Sequence, residues 1–88
     1  MDDISGWRNR IDEIDSQLEE LLNERAASAI EIGKIKQKTN MEIYNPDREK
    51  NIIERITGKN KGPLGNDAIR RIFELIINEC RNIESDID

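Results

Sequence analysis

The chain has 88 residues, with 14 basic and 19 acidic side chains, a formal charge of −5, no His and one Cys, so it has room for a single small domain spanning 1–88. Without His there is no Ser-His-Asp or Cys-His site and no His-ligated metal, and one Cys makes neither an internal disulfide nor a Cys-rich zinc knuckle. An acidic chain with 3% aromatic residues lacks the basic stripe and stacking rings of a nucleic-acid binder.

Taken in chain order, Met1-Asp2-Asp3 is acidic where a signal peptide is basic and then apolar. No apolar run approaches the roughly 18–20 residues of a membrane span. A reduced, cytoplasmic setting is therefore expected. From about Asp3 to Thr39 there is no Pro, and Ile4, Trp7, Ile11, Ile14, Leu18, Leu21, Ile32 and Ile35 follow steps of three and four, with positions 25 and 28 completing the series. That spacing predicts one long amphipathic helix. Arg25 and Ser28 interrupt its apolar seam, and Gly6 and Gly33 are its weak points.

Asn45-Pro46-Asp47 restarts the chain. Asn suits an N-cap, Pro the first helical position, and an acid the first turn. A second helix is predicted from about Pro46 to Thr57, with Ile52, Ile53 and Ile56 turned inward. Gly58 to Gly65, with Pro63 inside, reads as a loop. Asn66 is expected to cap a third helix carrying Ile69, Phe73, Ile76, Cys80, Ile83 and Ile87 on one stripe.

Length sets the architecture. A helix of about 36 residues is about 54 Å long, whereas a compact 88-residue monomer has a radius of gyration near 12 Å. Two shorter helices cannot cover the first. The expected fold is all-α, three helices per chain, in an intertwined homodimer about a two-fold axis. A helical hairpin broken near Gly33 is the alternative.

Candidate functional residues follow from charges on apolar faces. Arg25 on the seam needs a partner, since an unpaired buried charge is costly. That partner is Glu49 or another acid, or a ligand carboxylate. Lys36 lies eleven residues on, three turns along nearly the same face and about 16 Å away. The two suit a small anion held between them, although a solvated lysine beside Lys34 and Lys38 is the plainer reading. Arg8, about 25 Å from Arg25, reaches that site only from the partner of an antiparallel dimer; otherwise it pairs with Asp12. Glu49 leans inward with Ile52. Glu84 shares a side of the third helix with Cys80 and Ile77. Burial would favour its neutral form and make it a proton donor, whereas a frayed helix end would leave it exposed. Cys80 has no base beside it and reads as a small packed residue.

Together these segments resemble the all-helical chorismate mutases. They are Trp7-Arg8-x-x-Ile11-Asp12-x-Ile14-Asp15, Leu21-Leu22-Asn23-Glu24-Arg25, Ile32-Gly33-Lys34-Ile35-Lys36, Asn45-Pro46-Asp47-Arg48-Glu49 and Ile72-Phe73-x-x-Ile76-Ile77. The likeness runs from about residue 4 to residue 84, and the order and spacing of the pieces carry it. It implies a homodimer and a cofactor-free, metal-free Claisen rearrangement of chorismate to prephenate, on the route to phenylalanine and tyrosine. It also implies roles: Arg25 and the partner's Arg8 on the two carboxylates, and Lys36 on a carboxylate and the ether oxygen. Glu49 would accept from the ring hydroxyl, Arg48 would order the site, and Ile32 and Ile77 would form apolar walls. Cys80 stands where relatives often carry Ser near a carboxylate. Asn45 replaces an Asp frequent in relatives. Glu84 stands where many have a Gln that donates to the ether oxygen, so Glu84 must be protonated to do the same. Isochorismate pyruvate-lyases share the fold and similar cations, and a non-catalytic module binding a partner protein is a further reading. Similar domains also occur fused to other shikimate-pathway enzymes.

Overall fold

A computed structural model describes residues 3–86. It contains α1 (Ile4–Thr39), α2 (Pro46–Lys59) and α3 (Asn66–Ser85). α1 runs unbroken through Gly33, which is buried, so the hairpin alternative fails. Asp3 caps its start by accepting from the Gly6 N–H. Asn40 ends it at φ 58°, a left-handed conformation that Asn tolerates through its short polar side chain. The Lys36 carbonyl accepts from the Met41 N–H at 2.9 Å and closes the last turn.

α2 begins as expected. Asn45 Oδ1 accepts from the Arg48 N–H at 3.1 Å and Pro46 occupies the first turn. It runs two residues past the predicted end, through Gly58 to Lys59. The reason lies in the following turn. Asn60 Nδ2 donates to the Leu64 carbonyl and to Asn66 Oδ1, and Asn60 Oδ1 accepts from Gly62 N–H. One side chain thus gathers the loop, and the helix stops only when it reaches that side chain. The same network corrects the expected cap of α3. Gly65 is the N-cap, with no side-chain bond, and Asn66 is the first helical residue, its amide oxygen taken by Asn60. Ile87, expected to extend the third stripe, lies outside the described residues.

α3 packs against both α1 and α2, while α1 and α2 make no comparable contact with each other. The core of the single chain is correspondingly small. Ala29, Ile52, Ile77 and Cys80 are its buried apolar side chains among the described residues. Most of the α1 stripe is uncovered: Trp7 is 64% exposed and Leu21 61%, with Ile4, Ile11 and Leu18 also open. The molecule is 56 Å long with a radius of gyration of 16.3 Å, well above the roughly 12 Å of a compact chain this size. Among the described residues, no helix is long and apolar enough to cross a membrane.

Candidate active site

Where α3 lies across the C-terminal half of α1 and the start of α2, the three helices enclose a cavity of about 380 Å³. α1 contributes Arg25, Ile32 and Lys36 to it, one stripe of side chains three turns long. The N-terminus of α2 contributes Asn45, Arg48 and Glu49, and α3 contributes Ile77, Cys80 and Glu84. All the candidate residues therefore line one space, except Arg8. Arg8 is exposed on the far half of α1 and does not border the cavity.

Lys36 is not a solvated lysine. Its side chain is only 14% exposed, with Nζ 3.3 Å from Glu84 Oε1. It also donates to the Ile43 carbonyl at 3.0 Å. By contrast Lys34 pairs with Glu31 on the outer surface. The α1–α2 connection thus folds back on α1 and holds the ammonium in place. Glu84 lies within the last turn of α3 with its side chain 13% exposed, not at a frayed end. Its Oε1 is close enough to Lys36 for an ion pair but outside hydrogen-bond geometry, and it has no hydrogen-bond partner among the described residues.

Glu49, one of the partners that the residue pattern leaves open for Arg25, does not pair with it. Its Oε2 accepts from Arg81 Nη1 at 2.6 Å. Arg25 is half-buried and, among the described residues, makes no ion pair. Arg8 likewise forms no pair with Asp12 there; the neighbouring pair is Arg10 with Glu13.

Three cavity features escape the sequence reading: Arg81, Arg55 and the Ile43 carbonyl. The first two carry a signal in hindsight. Ile77, Arg81 and Glu84 stand at i, i+4 and i+7, as do Arg48, Ile52 and Arg55, so each Arg shares a helix face with residues already singled out. The carbonyl carries no side-chain signal at all.

The electrostatics of the cavity oppose those of the chain. Arg25, Lys36, Arg48, Arg55 and Arg81 face it against Glu49 and Glu84, an excess of three positive charges in a protein of net charge −5. Two of the cations are matched by the two carboxylates. Arg25, Arg48 and Arg55 make no ion pair among the described residues. Low-dielectric walls of Ile32, Ile52 and Ile77 strengthen the attraction for an anion. The space suits a small, multiply negative, partly apolar molecule.

A short all-α chain with a helix longer than its own core and a cation-lined cavity between three helices is the class of protein defined so far. The profile of the chorismate mutase type II family matches residues 7–85, and the chain belongs to that family, whose members named below are isomerases or contain one. It is 40% identical over 91 aligned positions to a bifunctional chorismate mutase/prephenate dehydratase of Aquifex aeolicus, covering 99% of this chain and 25% of that protein. A bifunctional protein of the same description from Neisseria gonorrhoeae is 42% identical, over 88% of this chain and 21% of its own length. The chain thus spans about a quarter or less of the length of these curated relatives. Among solved structures, the chorismate mutase (form II) of Thermus thermophilus superposes with a TM-score of 0.94 at 28% identity, covering 97% of both chains.

Proposed function

We propose that chorismate is bound in this cavity and rearranged there to prephenate, in a homodimer that adds a second copy's Arg8 to each site. The observation that carries the reading is the excess of three positive charges in the cavity of an acidic chain, together with membership of the family. Chorismate is a dicarboxylate, and three unmatched guanidiniums suit it in charge and in bidentate geometry.

The reaction breaks an ether C–O bond and forms a C–C bond within one molecule. It needs no nucleophile, only a compact substrate pose and stabilisation of charge on the ether oxygen. Arg25 and the partner subunit's Arg8 hold the carboxylates. Lys36 touches a carboxylate and the ether oxygen. Glu49 accepts from the ring hydroxyl, Arg48 and Asn45 order the start of α2 beside it, and Ile32 and Ile77 press on the apolar faces of the ring. Cys80 fills space near a carboxylate. The uncovered stripe of α1 supports the dimer: Trp7, Ile11, Leu18 and Leu21 are each half or more exposed, and burying the rest would contribute ~1 kcal/mol each.

Glu84 borders the ether oxygen in this reading, with its Oε1 3.3 Å from Lys36 Nζ and no hydrogen-bond partner among the described residues. A carboxylate there can only accept, whereas an amide of the same shape can donate to that oxygen. The test is chorismate loss by ultraviolet absorbance, with the product identified, for the wild-type chain and Glu84→Gln. The variant should raise kcat severalfold, since its amide stabilises charge that appears only in the transition state. An unchanged kcat would remove Glu84 from the chemistry; no prephenate from the wild type would overturn the functional reading.

As the relatives are fused to prephenate dehydratase, the same tandem arrangement is proposed for the full-length protein here. Prephenate released by this domain would then be consumed by the adjoining one.

A further inference from the structure

Arg81 and Arg55 are the cavity cations that the roles above leave unassigned, and of the two Arg81 is the one held by an ion pair. We infer that Arg81 is a positioning residue: it holds the Glu49 carboxylate in the orientation that receives the substrate's ring hydroxyl, and so sets the affinity of the site. This rests on the functional reading just given and adds a residue to it.

The geometry is over-determined. Arg81 Nη1 donates to Glu49 Oε2 and Nη2 donates to Asn78 Oδ1, each at 2.6 Å. The guanidinium carbon lies 4.9 Å from the centre of the Tyr44 ring, within cation–π range. Three anchors from three parts of the fold therefore fix the plane of one guanidinium: α2, α3 and the α1–α2 connection. The planar fork can bond two acceptors at once, which an ammonium cannot do with the same geometry.

Glu49, Ile77 and Arg81 border the cavity on one side and a second recess on the other, where Tyr44 and Asn78 lie. Two of the three anchors of Arg81 are thus on the side away from the substrate. It takes Oε2 of Glu49, and Oε1 is left without a hydrogen bond among the described residues. A carboxylate with one oxygen pinned and the other open is a preorganised acceptor. Arg81 also balances a negative charge that would otherwise face a dianionic substrate, and that repulsion would be felt on binding.

The ring hydroxyl is not at either bond that changes. Its contact with Glu49 is made alike in the bound substrate and in the transition state, so losing it raises KM and leaves kcat nearly intact. A fold merely weakened by the mutation behaves differently. It removes a fraction of active protein, lowering apparent kcat at constant KM.

The experiment is steady-state kinetics on the full chain for the wild type, Arg81→Met, Arg81→Lys, Glu49→Gln and the doubles combining each Arg81 change with Glu49→Gln. Thermal melts run alongside. Arg81→Met should raise KM about tenfold, and Arg81→Lys by a smaller factor. In the Glu49→Gln background both effects should shrink to within about twofold, since coupled residues are non-additive. Arg81→Lys keeps a charge over Tyr44 and serves if Arg81→Met does not fold. An unchanged KM in Arg81→Lys and Arg81→Met, or a full effect persisting without the Glu49 carboxylate, overturns the inference while prephenate formation by the wild type keeps the functional reading. A wild type that makes no prephenate overturns both.

Discussion

Replacing Lys36 by Met should lower kcat for chorismate by about a thousandfold while the chain stays helical. The reasoning starts from where charge appears. In the substrate the ether oxygen is neutral; in the transition state it carries partial negative charge. An ammonium beside it is therefore worth more at the barrier than in the bound ground state, and its loss falls on kcat. Removal of one well-placed donor costs about 10²–10³ in kcat in other sites, and a charged donor belongs at the upper end. Lys36 is placed for this before substrate arrives, held by the Ile43 carbonyl at 3.0 Å and by Glu84 at 3.3 Å. Met keeps most of the stem and its packing. It also leaves the Glu84 carboxylate, 13% exposed, without its cation, which endangers folding. The double variant Lys36→Met with Glu84→Gln removes that charge and isolates the chemical loss. A kcat within a few-fold of wild type in the folded double variant would mean that Lys36 is not at the reacting oxygen.

The second large effect concerns a shared site. Arg8→Ala and Arg25→Ala should each reduce kcat/KM by roughly a thousandfold, the loss of about 4 kcal/mol expected when a charged, bidentate contact disappears. Unfolded together and refolded as a mixture, the two inactive chains should regain about a quarter of wild-type activity. The figure follows from two-fold symmetry. If each site takes Arg25 from one chain and Arg8 from the other, a mixed dimer has one site with both residues and one with neither. Half of the dimers are mixed, and half of their sites work. A mixture no more active than its components would mean that no site takes Arg25 from one chain and Arg8 from the other. A solution mass equal to the 10.2 kDa of one chain would deny the sharing altogether.

The three helices and the elongated shape were legible in the sequence because periodicity and length are local properties. Steps of three and four mark α1 and α3, although a break of α1 near Gly33 stays open on the sequence alone, and an unbroken helix of 36 residues cannot fold back into a compact molecule of this size. The end of α2 and the start of α3 were not, because Asn60 decides both through bonds to Leu64 and Asn66 that no helical pattern encodes. The gathering of most candidate residues around one cavity follows the same logic. Helical spacing tells which side chains share a face, and Arg25, Ile32 and Lys36 do. It does not tell which face another helix meets. Glu49 is one of the partners that the sequence offers Arg25, because both interrupt apolar stripes, yet α2 touches α3 and not α1, and Glu49 pairs with Arg81, 32 residues away along the chain.

The uncovered stripe on α1 carries a consequence for how such a protein lives in dilute solution. If a second chain covers it, burial of Trp7, Ile11 and Leu18 is a bimolecular gain, and by mass action stability becomes a function of protein concentration. Each tenfold dilution then removes about 1.4 kcal/mol per dimer from the balance. Structure and catalysis would be lost over the same range, because the chain that completes the core is the chain that completes the site.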